Sequence, residues 1–384
     1  MTFPNTSAGI HLGLVFDYRV HDPRTVARRV DYVFGGYFAD WHPAIDPKAG
    51  HVDGSLPFDL DGYPQYVPGH SLLWWQAHHP GWIVYRCDRK TPAYDAPGTS
   101  NVPLDITNPS VRAYEIQEVA GMFARGASGA AFDDFSFSNS GGRCGVYRGG
   151  EWRSLHYPAP AQDSATLNND MRNWLKSIRE ELRRRFPTKT LAVDMNLRAS
   201  GIANVRAVAP YVDMVLDESG FTSYGTGGLM STAWQQEVGD LEYLASLGKA
   251  VDVNAIVNAA SNSSVTRSQL SWALGNYLLV KGAHSYTYVY ATGDRSSLGV
   301  GSSGYGTFYD RPQYHIPIGA PTSGRFSSYG VQMRYYAGGL VIVNPSSWQT
   351  FAVPLGQAYT DMFGTPYTAV TLSPASAIVL VNPS

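Results

Sequence analysis

Asp133 and Asp134 stand side by side at the end of a run of small and apolar residues, Gly129-Ala130-Ala131-Phe132. Such a run suits a strand buried on both faces, as a parallel sheet requires. Other acids fall where further strands are expected to end: Asp17, Asp40, Asp194, Asp217, Glu218 and Asp252. No nucleophile motif competes with them, since the chain has no G-x-S-x-G elbow, no phosphate-binding loop, no H-x-H and no H-E-x-x-H. His78 and His79 are neighbours on an expected helix and cannot turn to one metal together. Carboxylates among aromatic residues, without metal ligands, point to cleavage of glycosidic bonds. In that reaction one carboxylic acid protonates the leaving oxygen while a second carboxylate attacks or activates water.

Asp133 is expected as nucleophile or base and Glu218 as general acid, each weighed against the plainer role of a strand-end turn or cap acid. Asp134 alternates to the other side of its strand and is read as a contact residue. Asp17, Asp40, Trp41, Trp152, Asp194, Asp252, Asn254 and Tyr288 complete the expected substrate-binding set. Asp194 and Asp252 serve equally well as tuners of the catalytic pair. Asp133 and Glu218 belong to the fourth and sixth expected strands, whose backbones should lie about 9–10 Å apart. Converging side chains could reach the roughly 5–5.5 Å of a retaining enzyme or the roughly 6.5–9.5 Å of an inverting one, so the stereochemistry stays open.

The elements that must hold these residues follow from periodicity and caps. Strands are expected at residues 11–18, 32–38, 82–87, 129–132, 190–196, 212–216, 249–256 and 284–290. Helices are expected at 23–30, 71–79, 108–125, 167–186, 205–210, 232–247 and 266–281. Asn108 with Pro109 opens one of them, and the capping box Thr266-Arg-Ser-Gln269 opens another. The clearest places Met171, Leu175, Ile178 and Leu182 on one face. Residues 39–67 read as a long loop, and 291–325 as a Gly/Ser/Tyr-rich loop over the mouth. The fold class is α/β: a (β/α)8 TIM barrel over 1–325. Beyond it, 326–384 form a small all-β domain, a β-sandwich of short strands split by Gly, Pro, Asn and Ser.

Lys+Arg of 29 against Asp+Glu of 31 leaves almost no net charge, which argues against nucleic acid or an anionic membrane as partner. Only 16% of residues are charged, while 25 Tyr, 9 Trp and 39 Gly are generous; such a surface suits neutral polymers outside the cell. Residues 1–9 carry no basic start or apolar core, so an exported protein is expected to have lost a leader ahead of Met1. Cys87 and Cys144 are the two cysteines; a bridge and a pair of buried thiols are both compatible with their positions. No cofactor and no metal are expected, and the chain is read as a monomer.

Three patches carry a family resemblance. Asp105-Ile-Thr-Asn108-Pro109, with Arg112 and Tyr114 on the following helix, leads to Gly129-Ala-Ala-Phe-Asp133-Asp134. This resembles the glycoside-hydrolase-like TIM-barrel families related to the endo-α-1,4-polygalactosaminidases. Those families have G-(apolar)3-D-(D/N) at strand four and an acid, often Glu followed by Ser or Gly, after strand six; Asp133 and Glu218 occupy these positions. Gly339-Leu-Val-Ile-Val-Asn344-Pro345 with Tyr359-Thr-Asp361 is similar to the β-sandwich appended to many glycosidase barrels. The resemblance implies the reaction class and leaves the sugar open. The expectation is an extracellular glycoside hydrolase acting on a polysaccharide or oligosaccharide, with endo action slightly favoured. A catalytically silent glycan-binding barrel and a transglycosylase on the same scaffold are the alternatives.

Overall fold

The computed structural model describes residues 3, 5–15, 31–34, 50–54, 72–94, 102–124, 129–132, 135–139, 141–157, 164–218, 220–225, 228, 230–293 and 308–383. The first strands are β1 (Gly13–Val15), β2 (Tyr32–Phe34) and β3 (Gly50–Gly54). β4 (Val84–Tyr85), β5 (Gly129–Phe132), β6 (Gly145–Arg148) and β7 (Glu151–Ser154) follow. Then come β8 (Thr190–Asp194), β9 (Met214–Asp217) and β10 (Ala250–Val253). β11 (Ala255–Val257), β12 (Ser285–Tyr286) and β13 (Val289–Ala291) continue the last two of the long predicted strands.

Eight of these strands form one parallel sheet in the order β1-β2-β3-β5-β8-β9-β10-β12. Spatial order follows chain order. Past β12 the chain meets its own beginning. Leu12 and Thr287 form a parallel bridge, Thr287 N–H donates to His11 O at 3.0 Å, and Gly13 N–H donates to Thr287 O at 3.2 Å. Registered partners share a face of a sheet. One face therefore carries Gly13, Gly129, Ala131, Ala192, Asp194, Leu216, Asp252 and Tyr286. Glycine at two of these positions is a matter of space: a Cβ on Gly13 would collide with the Asp252 carboxylate, and one on Gly129 with Thr190.

α1 (Leu72–His78) packs beside β4 in a separate cluster, Trp75 with Ile83, Tyr85, Val102 and Leu104. The opposite face of the parallel sheet takes the other helices: α2 (Pro109–Ala124), α3 (Ala165–Arg185), α4 (Leu197–Ser200), α5 (Ile202–Val208), α6 (Ser231–Ser246) and α7 (Arg267–Val280). α3 begins where Ser164 Oγ accepts the N–H groups of Thr166 and Leu167. It buries Leu167, Met171, Trp174, Leu175, Ile178 and Leu182, each worth about 1.5–3 kcal/mol. Phe132 of β5 meets Trp174 edge-on, ring centroids 4.7 Å apart. The expected capping box forms in full at α7, Thr266 and Gln269 each bonding the other's backbone. Nearly every residue of α7 from Leu270 to Val280 is buried, because the helix is covered on two sides.

The second cover is the C-terminal sheet, formed by β14 (Phe326–Ser328), β15 (Val331–Tyr336), β16 (Gly339–Asn344), β17 (Phe351–Asp361), β18 (Pro366–Leu372) and β19 (Ser376–Val381). The tail expected as a sandwich is one antiparallel sheet in the order β14-β15-β16-β19-β17-β18. Alternation splits its side chains: Val341, Val343, Ala377 and Val379 join the large core, while Leu340, Ile342, Val353, Val370 and Leu380 enclose a core of their own. Tyr336 Oη donates to Leu278 O at 2.5 Å, and Arg334 Nη1 donates to Lys281 O at 2.7 Å, fastening the sheet to the end of α7.

One strand assignment needs correction. Residues 82–87 were expected as the third strand of the parallel sheet, but Val84–Tyr85 pairs antiparallel with β6 in a separate three-stranded sheet, β4-β6-β7. The third place belongs to β3, inside the stretch read as a loop. Its sequence, Gly50-His-Val-Asp-Gly54, carries no apolar run to announce it; the register with β2 and β5 alone reveals its place. The small sheet is tied by a disulfide between Cys87 and Cys144, which closes the choice the sequence left open. No helix among the described residues is long and apolar enough to cross a membrane.

Candidate active site

The parallel strands place a row of polar side chains at their C-terminal ends. Glu218 follows β9 directly, and its position is set by its neighbour. Asp217 is 1% exposed, and its carboxylate accepts the N–H of Gly220 at 2.9 Å and of Leu197 at 3.3 Å. Glu237 of α6 lies against it; burial, then the charge and hydrogen bond of Asp217, push the Glu237 carboxyl well above the usual range. Glu237 therefore stays protonated and donates to Asp217. Asp240, one turn further along α6, is raised to about 6 by burial and by Asp217, with Arg206 opposing. Asp217 faces the helices, and Glu218, one residue past the end of β9 and 8% exposed, would by continued alternation turn to the face of Asp194 and Asp252.

Asp194 ends β8 and is 4% exposed; its main-chain oxygen accepts Phe135 N–H at 2.8 Å, drawing the chain after β5 across the end of β8. Asp252 is fully buried between its registered partners Leu216 and Tyr286 and packs against Gly13. No hydrogen bond of normal geometry reaches either of its oxygens among the described residues. Burial lifts its pKa to about 8, the nearby Asn254 amide pulling it back. Asp252 is therefore a neutral acid near pH 7, with no surface for a sugar to touch.

Asn254, 1% exposed, is held by its N–H donating to Asp217 O at 3.0 Å. Tyr288 lies two residues beyond Tyr286 on the same side; its hydroxyl accepts Tyr309 N–H at 2.5 Å and donates to Tyr309 O at 3.3 Å. The structure thus brings Glu218, Asp194, Asp252, Asn254 and Tyr288 to one face. Trp152 is elsewhere, on β7 of the small sheet, with Tyr147 at 5.3 Å and the Arg89 guanidinium 5.3 Å over its ring. Asp17, Asp40, Trp41, Asp133 and Asp134 lie outside the described residues. Among the described residues no group of three or more His, Cys, Asp or Glu could hold a metal ion.

Sequence reasoning passed over the aromatic collar of Tyr288: Phe308 at 5.7 Å and Tyr314 at 5.8 Å between ring centroids. Its signal was the aromatic density of residues 308–314, in a stretch read only as a loop.

No protein-family profile matches this chain, and no curated protein matches it in sequence. Solved structures do. A noncanonic maltogenic α-amylase, AmyB from Thermotoga neapolitana, superposes over 98% of this chain and 99% of its own at 10% identity, with a TM-score of 0.52. An Anoxybacillus α-amylase, described as a new glycosyl hydrolase subclass, covers 98% of each chain at 9% identity and a TM-score of 0.50. The chain shares the fold of these two α-amylases. The glycoside hydrolase domain of PelA from Pseudomonas aeruginosa, at 15% identity over 73% of this chain and 95% of its own, scores 0.47, too loose a likeness to add to that. At these identities the likeness concerns this fold alone, over both the parallel and the antiparallel sheet.

Proposed function

We propose that the chain is an extracellular glycoside hydrolase whose eight parallel strands close into a (β/α)8 barrel, with Asp133 as nucleophile or base and Glu218 as general acid. The register supports closure. Following Cα partners from Gly13 through Tyr32, Gly50, Val52, Gly129, Thr190, Ala192, Met214, Ala250, Val251, Ser285, Thr287 and Leu12 returns to Gly13 on the same face. The circuit climbs two residues at β3, two at β8, one at β10, two at β12 and one at β1, eight in all. Eight strands with a stagger of eight is the (β/α)8 geometry.

The observation that carries the function is the gathering of Asp194, Glu218 and the Asp252–Asn254 pair on the inner face at the C-terminal ends of consecutive strands, where barrel enzymes do chemistry. Environment divides their roles. Asp252, buried and neutral, is placed for tuning; Glu218, the residue after β9, and Asp194, the last residue of β8, are assigned to substrate. The carboxylate partner of Glu218 is assigned from the strand-four motif and the family resemblance, which also favour endo action on a polysaccharide. The disulfide supports an oxidising compartment and hence export.

Product release from a panel of neutral, amino-sugar and acidic polysaccharides tests this, with wild type, Asp133→Asn and Glu218→Gln side by side. Loss of about 10²–10⁴-fold in rate is expected of the acid–base variant. Equal release by all three would remove both residues from the chemistry, and binding without any product would make the protein a silent glycan-binding barrel.

A further inference from the structure

Arg311 is 5% exposed, and among the described residues neither its Nε nor its Nη2 has a hydrogen-bond partner. These two nitrogens form one edge of the guanidinium plane and offer parallel N–H donors, the fork that a carboxylate fills with two bonds. Asp310, the adjacent acid, pairs with His315 instead, Oδ1 to Nε2 at 2.6 Å. The rest of the guanidinium is held in place: it hydrogen-bonds the Tyr314 hydroxyl, and the Tyr309 ring lies 5.0 Å from Cζ. Two other buried cations have their charge met, Arg179 by Asp213 and Lys281 by the carbonyls of Thr6 and Gly9. A desolvated guanidinium with an open fork is costly unless an anion arrives.

Its neighbours attach Arg311 to the end of the last parallel strand. The Tyr314 hydroxyl accepts Val289 N–H at 3.2 Å, and Tyr309 is bonded through its backbone to the Tyr288 hydroxyl. Tyr309 is 41% exposed, so the ring covering the guanidinium is also the side chain with room to swing.

We infer that Arg311 is a specificity site for a carboxylated sugar, a uronic-acid-type unit whose carboxylate takes the Nε–Nη2 edge while Tyr309 moves aside to lie against the ring. The choice of a sugar as bearer of the carboxylate rests on the glycoside-hydrolase reading; the anion site itself does not.

Thermal melting and calorimetry with glucuronate, galacturonate, glucose and inorganic sulfate test it on wild type, Arg311→Lys and Arg311→Met. One or both uronates should bind wild type and raise its Tm, with glucose inert. Arg311→Lys, which keeps the charge and loses the fork, should bind at least tenfold more weakly. Arg311→Met should not respond, and should melt above ligand-free wild type because an unpaired buried charge has gone. A uronate shift that survives in Arg311→Met, no shift in wild type, or sulfate acting as strongly as the uronates would each overturn the assignment. Hydrolysis is scored apart. Uronate binding with no cleavage of any polymer keeps the site and removes the hydrolase, whereas cleavage of neutral polymers with no uronate response does the reverse.

Discussion

Asp252 is the residue whose behaviour is most tightly determined by its surroundings. Its carboxyl holds a proton up to about pH 8 in the folded protein and releases it near 3.8 when unfolded. Across that window the folded state binds the extra proton, so its contribution to stability falls as pH rises; below the window both states are protonated and there is nothing to lose. Asp252→Asn keeps the shape and removes the titration. Urea unfolding should find the variant close to wild type at pH 4. Between pH 4 and 8 it should gain on wild type by up to about 1.4 kcal/mol per unit. A gap that does not change with pH would mean that Asp252 is ionised in the fold. Asp252 was named from the sequence as a candidate because it ends an apolar strand, but its neutrality was illegible there. It depends on Gly13, Leu216 and Tyr286 from three other strands, and no local pattern announces that meeting.

At the scale of elements, the turn after β9 and the disulfide-tied sheet make separate predictions. Glu237 donates to Asp217, which in turn holds the N–H groups of Gly220 and Leu197 beside Glu218. Glu237→Gln keeps a donor and should leave stability within about 1 kcal/mol. Glu237→Leu leaves Asp217 short of a partner and should cost about 1–3 kcal/mol, read by the same denaturant titration. Equal losses in both variants would show that packing, not the bond, is what α6 supplies. For the small sheet, Cys87→Ser opens a covalent link between residues 57 apart, worth about 4 kcal/mol in the chain-entropy account. Proteolysis should then cut near β4 or β6 before the parallel sheet is touched. Helices with strong end signals were readable, as Asn108 and the Thr266–Gln269 box demonstrate, whereas the Ser164 cap of α3 went unread and that helix was expected to begin at 167. β3 was not readable, because Gly50-His-Val-Asp-Gly54 has no hydrophobic period.

On the scale of the whole molecule, α7 couples the two sheets. Gly275 stands where a Cβ would come 2.7 Å from the Ala377 Cβ, so helix and β19 touch with nothing between them. Gly275→Val should overpack this contact, cost about 1–3 kcal/mol and lower a single melting transition. Two separated transitions would mean that the tail unfolds on its own. Arg325 adds a two-point bond to Glu242, Nε to Oε1 at 2.8 Å and Nη2 to Oε2 at 2.9 Å, that ties the lead-in to β14 onto α6. The alternating tail was legible as strands, yet its docking on α7 was not, since a glycine inside a helix gives no hint of what approaches it.

The meeting of Leu12 with Thr287 has a consequence in time. Thr6 Oγ1 receives the N–H of Ser285 at 2.7 Å across 279 residues of chain, and that contact cannot form until its distant half has been made. At roughly 5–20 residues per second a ribosome needs tens of seconds to deliver it. Helices such as α3 settle within about a microsecond of emerging. Throughout synthesis β1 therefore waits with one side unpaired, short enough at three residues to be a poor template for a stranger's strand. The earliest part of the sheet to be translated is among the last to be completed, and the nascent chain spends most of its synthesis as an open ribbon.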